Sequence, residues 1–161
     1  VMLAGLLHPE SRGAIEVTSI DPRVAPRVHT HFLERDRDVA TLVAGIRIIR
    51  KLIGQSALDP LRGEERSPGA ALDSDHALAT FVRSTASTFH HAAGTCRMGA
   101  DPASVVDLEL RVRGIERLRV VDASVMPDLV GGNINACVLM IAERAADLIR
   151  MRAPPPGEPR V

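Results

Sequence analysis

Apolar residues recur at helical spacing through one long stretch of this chain: Val39, Leu42, Val43, Ile46, Ile49 and Ile53. The pattern predicts an amphipathic helix from Asp36 to about Ile53, ending near Gly54. Such a face has to be covered, so the chain calls for a packed core. Asp73 or Ser74 is placed to cap a second helix with Leu78, Phe81 and Val82 as its apolar positions. Apolar residues make up 45% of the chain, enough to bury a core, but only 2% of residues are aromatic and none is Trp or Tyr. That core must therefore come from Val, Leu, Ile, Ala and Met. At 161 residues there is room for one ordinary domain or pieces of two.

Around these helices the pattern changes. Residues 1–33 read as short strands broken by Pro9 to Gly13 and by Asp21-Pro22, with Ala14 to Ser19 alternating like a half-buried strand. Leu61 to Leu72, with Gly63, Pro68 and Gly69, reads as a loop. Leu108, Leu110 and Val112 alternate with charged residues as an exposed-faced strand, Gly114 marks a turn, and Leu118 to Val121 is a short apolar strand halting at Asp122. Asn133 then opens a last helix with Val138, Ile141, Ala142, Ala145, Leu148 and Ile149 on one face. "APPPGEPRV" cannot continue a helix, and residues 151–161 are expected to form a disordered tail.

Charge and cysteine usage narrow the function. Lys plus Arg and Asp plus Glu number 20 each, so no net field steers the chain to nucleic acid or anionic lipid. The stacking platforms of single-strand binders are also missing. No apolar run reaches the ~18 residues of a transmembrane segment. Cys96 and Cys137 match neither a disulfide framework nor a zinc spacing, which makes free thiols in a reducing cytoplasm the expectation. The chain opens on Val1 and "VMLAGLL", which reads as a cut end of something longer.

Two stretches carry chemistry. In "VVDASVMPDLVGGNINA" a carboxylate, Asp122, ends an apolar strand where open α/β sheets place ligand contacts. Two glycines then allow close backbone approach, and the next helix begins with unpaired N–H groups that favour negative charge. The plain alternative is a Gly turn with an N-capping Asn. In "TFHHAAGTCRMG" the adjacent His90 and His91 precede Cys96. They are metal ligands, a buried core His or a general base; adjacent strand residues face opposite ways, so only one would face a given site.

Occurring together and in order, these stretches resemble the C-terminal region of the glucose-methanol-choline (GMC) oxidoreductases, most closely choline-dehydrogenase-like members. The family's H-P-x-G-T-C-R-M-G box appears as His91 to Gly99 and its V-V-D-x-R-L-R-V-x-G-V strand as Val105 to Ile115. L-R-V-V-D-A-S-V-M-P appears as Leu118 to Pro127, G-N-x-N-A as Gly132 to Ala136, and the last helix as Met140 to Ile149. Upstream, "LLHPESRGAIEV" and "DPRVAPRVHTHFL" are similar to two further family elements.

The resemblance implies an FAD enzyme that oxidises a small-molecule alcohol by moving hydride to flavin N5. Carried over by register, His91 accepts the hydroxyl proton and Asn135 binds the same oxygen. Asp122 and Ala123 match the strand-end FAD contact, and Asn133, Ala136 and Cys137 lie at the helix start that approaches the flavin. Three positions depart from the pattern: His90 replaces an aromatic, Ala92 a Pro, and Cys137 a Pro. The implied fold is α+β. Residues 1–87 form part of a substrate-domain β-sheet with covering helices, and residues 88–150 supply the strand and helix that complete an FAD-binding domain. No two glycines here begin a G-x-G-x-x-G. The chain alone is thus expected to lack the N-terminal FAD-binding half and to be inactive, with a non-catalytic scaffold domain of the same fold as the alternative.

Overall fold

The computed structural model describes residues 1–151, so the predicted tail lies outside the described residues from residue 152 onward. The chain divides between Phe89 and His90 into two compact units.

In the first unit the long helix forms where its periodicity places it. Helix α1 spans Asp36–Ile53, with Asp36 and Asp38 in the first turn and Arg50 and Lys51 in the last, both favourable to the helix dipole. Helix α2 spans Asp75–Thr85, and Ser74 caps it by accepting a hydrogen bond from the Ala77 N–H at 3.1 Å. The two helices bury Val39 and Val43 against Leu78 and Val82, with Phe81 packed alongside. Between them, Arg50 fastens the intervening loop to α1 through Glu65 at 2.8 Å and the Gly69 carbonyl at 3.1 Å.

Asp38 is the unexpected member of this unit. It is 2% exposed, and its carboxylate accepts from the Glu10 N–H, the Ser11 N–H (both 2.8 Å) and the Ser11 hydroxyl (2.5 Å). The same hydroxyl accepts from the Arg35 N–H, so the Pro9–Gly13 turn is bolted to the start of α1. From that turn the chain enters strand β1, Ala14–Glu16, which pairs antiparallel with β2, Arg27–His29, in the register Ile15 to Val28. The predicted half-buried strand from Ala14 to Ser19 therefore stops at Glu16, and all three of its residues are exposed. Among the described residues the ribbon has two strands, and Ile15 and Val28 are exposed on it, so its alternation faces no core of the first unit. Gly13 sits where β2 comes closest: a Cβ there would lie 2.4 Å from the His29 carbonyl oxygen. Gly13→Ala is expected to pry the ribbon open and cost about 1–3 kcal/mol, measured by chemical denaturation; an unchanged midpoint would contradict this close approach.

The second unit packs helix α3, Asn135–Ile149, and a short 3₁₀ turn, Ala123–Val125, around Val106, Leu110, Val125, Met126, Ile134, Ile141 and Ala145. Here several sequence expectations need correction. The predicted strand through Leu108, Leu110 and Val112 turns at Leu108 and Glu109 and keeps only isolated bridges, from Arg111 to Arg119 and from Val112 to Val106. The Asp107 carboxylate accepts from the Glu109 and Arg111 N–H groups at 2.8 and 2.9 Å, pulling the backbone out of extension, and Leu110 takes φ +64°. Leu110 is consequently buried while Leu108 is 66% exposed.

The predicted strand from Leu118 to Val121 makes one isolated bridge, Arg119 to Arg111, flanked by Val112 N–H to Leu118 and Val120 N–H to Leu110 carbonyl bonds. It pairs along one edge only, too briefly for a ladder. The last helix begins at Asn135 rather than Asn133; Ile134 holds the cap position with helical backbone and no side-chain cap. Ala142 and Ile149 face outward, leaving Ile141 and Ala145 as the buried stripe. Gly132 does not take positive φ; among the described residues Gly69, Gly94 and Gly114 are glycines with left-handed backbone.

Candidate active site

The "TFHHAAGTCRMG" box owes its shape to backbone pairing. The N–H groups of Gly94, Cys96 and Met98 donate to the carbonyls of Ala123, Ser124 and Val125, at 3.4, 2.9 and 2.8 Å. Every second residue of the box is thus held by successive residues of the 3₁₀ turn. Gly94 has φ +85°, and a Cβ on it would lie 3.4 Å from the Met126 carbonyl oxygen. Ala93 and Met98 pack on the core that Val125 and Met126 help form. His91 is half-buried three residues before Gly94, whereas His90 is exposed with φ +60°.

The remaining predicted residues gather on the same unit. Asp122 is exposed and caps the 3₁₀ turn, its Oδ1 accepting from the Ser124 N–H at 2.7 Å. Ala123 is part-buried against the core, and its carbonyl receives Gly94. Asn133 is exposed ahead of α3, while Asn135 and Ala136 are exposed in its first turn. Cys137, also in that turn, packs on the same core as Ala93, so the box and the start of α3 share one core. The first helical bond runs from the Val138 N–H to the Ile134 carbonyl. With no side-chain cap, the preceding N–H groups keep the donor capacity and partial positive charge of a helix N-terminus.

Sequence reasoning missed the clasp behind the box. The buried Ser104 hydroxyl donates toward the Gly99 and Asp101 carbonyls at 3.0 and 2.7 Å and accepts from Arg113 Nε at 3.0 Å. Arg97 grips Asp101 with two bonds of 2.9 and 2.8 Å and holds its carboxyl at about 2, below the ordinary carboxylate value. The i,i+4 spacing of Arg97 and Asp101 was the readable signal; Ser104 carried none. Both cysteines are free thiols, and among the described residues no three His, Cys, Asp or Glu side chains are grouped to hold a metal. No helix among these residues is long and apolar enough to cross a membrane.

The chain is similar to GMC oxidoreductases in both sequence and fold. A family model described as GMC oxidoreductase matches residues 9–142. An oxygen-dependent choline dehydrogenase of Proteus mirabilis (strain HI4320) is 46% identical over 153 residues, which are 95% of this chain and 28% of that relative. A protein of the same name from Pseudomonas syringae pv. tomato is 47% identical over 152 residues, covering 94% of this chain and 27% of the relative. The chain thus spans little more than a quarter of the length of these curated relatives. Among solved structures, pyridoxine 4-oxidase from Mesorbium loti superposes with a TM-score of 0.85 at 34% identity, over 92% of this chain and 29% of the other. A fungal aryl-alcohol oxidase gives 0.80 at 36% identity, over 91% and 24%.

Proposed function

The chain belongs to the GMC oxidoreductase family, in its choline-dehydrogenase-like branch, and from that premise we propose that it forms the C-terminal part of an FAD-dependent enzyme oxidising the CH–OH group of a small alcohol. Residues 1–87 belong to the substrate-binding domain and residues 88–150 complete the FAD-binding domain. The enzyme works in the cytoplasm, where Cys96 and Cys137 remain thiols. The observation that carries this reading is the paired backbone of the His91 box and the Ala123–Val125 turn, on the same core as the uncapped start of α3.

The residues present fit a flavin. An uncapped helix N-terminus with Asn135 and Ala136 exposed offers N–H donors to an electron-rich ring edge, and a Cβ at Gly132 would meet no atom within 4 Å, so backbone approach is unobstructed there. Asp122, Ala123, Asn133, Ala136 and Cys137 would hold the cofactor. Bound FAD supplies the two-electron acceptor for the hydride leaving the alcohol carbon.

The chain's own groups handle the proton. An unprotonated ring nitrogen of His91 accepts the hydroxyl proton as the C–H bond breaks, so the oxygen gains the negative charge that pushes hydride off carbon. The Asn135 amide donates to that oxygen and steadies it without competing for the proton. The α3 N-terminus favours negative charge wherever it collects nearby.

The 161 residues alone carry no G-x-G-x-x-G. Purified by themselves they are expected to bring down no flavin, and joined to a dinucleotide-binding half of the family they should bind FAD and bleach it with a primary alcohol. Flavin absorbance with the isolated chain, or a loaded protein that no alcohol reduces, would sink the proposal; the latter outcome would leave a scaffold domain as the better reading.

A further inference from the structure

Two carboxylate–imidazole pairs meet at the end of the β1–β2 ribbon. Its register sets Ile15 against Val28, so Glu16, Arg27 and His29 fall together on the other face. The Glu16 carboxylate reaches both neighbours there, His29 Nε2 at 3.1 Å and Arg27 Nη1 at 3.4 Å. Two residues past His29, His31 Nδ1 lies 3.8 Å from the Glu34 carboxylate. The two rings are themselves neighbours, with centroids 5.9 Å apart and planes tilted by 58°.

Each ring thus has one nitrogen beside a carboxylate and one with no protein partner among the described residues, Nδ1 in His29 and Nε2 in His31. An imidazole that binds a transition metal typically gives its other nitrogen to a carboxylate, which fixes the ring and makes the remaining nitrogen a better ligand. With nitrogen-to-ion bonds of about 2.1 Å, two imidazoles can share one ion up to a centroid separation of roughly 6.5 Å. The observed 5.9 Å lies inside that reach. Tilted planes also let two ring edges turn toward one point.

The donor set selects the ion. Imidazole nitrogen suits zinc, nickel and copper, whereas calcium and magnesium take oxygen ligands. Glu16 and Glu34 bring negative charge beside the two rings, and Arg27 neutralises only the first of them. Two nitrogens are fewer than the three or four protein ligands of a closed metal site, so water completes the shell.

We propose that His29 and His31 form a two-imidazole site for a divalent transition-metal ion, with Glu16 and Glu34 orienting the rings from behind. Such an ion ties the end of β2 to the turn that follows it. The ribbon it stiffens has two strands, a size that is marginal in water by itself.

The test titrates the 161-residue chain with Zn²⁺ or Cu²⁺ alone, reading heat by calorimetry and the thermal midpoint at saturating metal. A single ion should bind, Cu²⁺ more tightly than Zn²⁺, and Ca²⁺ should not bind. His29→Gln and His31→Gln should each abolish saturable binding and the metal-dependent rise in midpoint. Glu16→Gln should weaken binding about 10–100-fold, the usual effect of a lost outer partner. His76→Gln, on α2, should bind as the parent does. In the parent itself, Zn²⁺ should protect His29 and His31, and not His76, from carbethoxylation read by peptide mass, a measurement that needs no variant to fold. Equal losses in all three histidine variants would mean an adventitious ion only, held by any exposed imidazole. Parent-like binding by His29→Gln or His31→Gln, or no protection of these two rings, would place the ion elsewhere; any of these results overturns the proposal.

Discussion

Replacing His91 by alanine in the FAD-loaded protein is expected to lower the rate of alcohol-dependent flavin reduction by about 10²–10⁴-fold, the range a single general base contributes, and to leave the flavin bound. A neutral alcohol is a poor hydride donor, and removing its proton during C–H cleavage is what makes it a good one. His91 is half-buried on a loop whose anchor is backbone pairing and whose side-chain neighbours at 92 and 93 are only methyl groups. Truncating it therefore removes a base without dismantling the hydrogen bonds that hold the box. The loss should appear equally in kcat and kcat/KM, because the proton moves in the transition state and not on binding. Asn135→Ala should cost less, since it removes one hydrogen bond to the oxygen and not the base. A His91→Ala protein that bleaches at the parent rate would falsify the assignment, and one that loses its flavin would show that His91 is structural.

The sequence could show those elements whose causes are local. Helix α1 forms from Asp36 to Ile53 as its periodicity required, and Ser74 caps α2, because spacing along a helix and a cap three residues from its donor are both written in contiguous residues. The segment around Leu110 failed for a reason equally local but competing: alternation argued for a strand, while Asp107 offered two nearby N–H groups a better acceptor than a neighbouring strand. The start of α3 shifted by two residues because Ile134 adopts helical backbone and no side chain marks the boundary.

The sequence points to His91 and Asn135 only through the order of motifs, since neither has a local pattern that marks it out. The backbone bonds from Gly94, Cys96 and Met98 to Ala123, Ser124 and Val125 had no signal at all. They join distant parts of the chain through atoms every residue possesses. The same holds for Asp38, whose place in the first turn of α1 reads as a dipole-stabilising acid and hides that its partners lie at Glu10 and Ser11.

Asp38 is where the first unit is most easily broken. Removing its carboxylate with Asp38→Ala strands the Glu10 and Ser11 N–H groups and the Ser11 hydroxyl, which also receives the Arg35 N–H. Hydrogen bonds to a buried charge, once lost, leave donors without water to replace them, and the expected cost is about 2–4 kcal/mol. Burial alone would push the Asp38 carboxyl up, but the Glu10 and Ser11 bonds and the nearby Arg12 charge outweigh it and hold the group below its ordinary value of 3.8. A carboxyl depressed in the folded state adds stability that is complete above the unfolded value and fades as pH falls through the folded one. The gap between the parent and Asp38→Asn should therefore be widest near neutrality and begin to narrow only below about pH 4. Other depressed carboxyls, Asp101 among them, take up protons in the same range, so the informative quantity is the difference between the two proteins in urea at each pH. A gap that stayed constant down to the lowest pH at which both fold would mean that Asp38 contributes shape and not charge. A gap absent at neutral pH would mean that the Pro9–Gly13 turn holds to α1 without it.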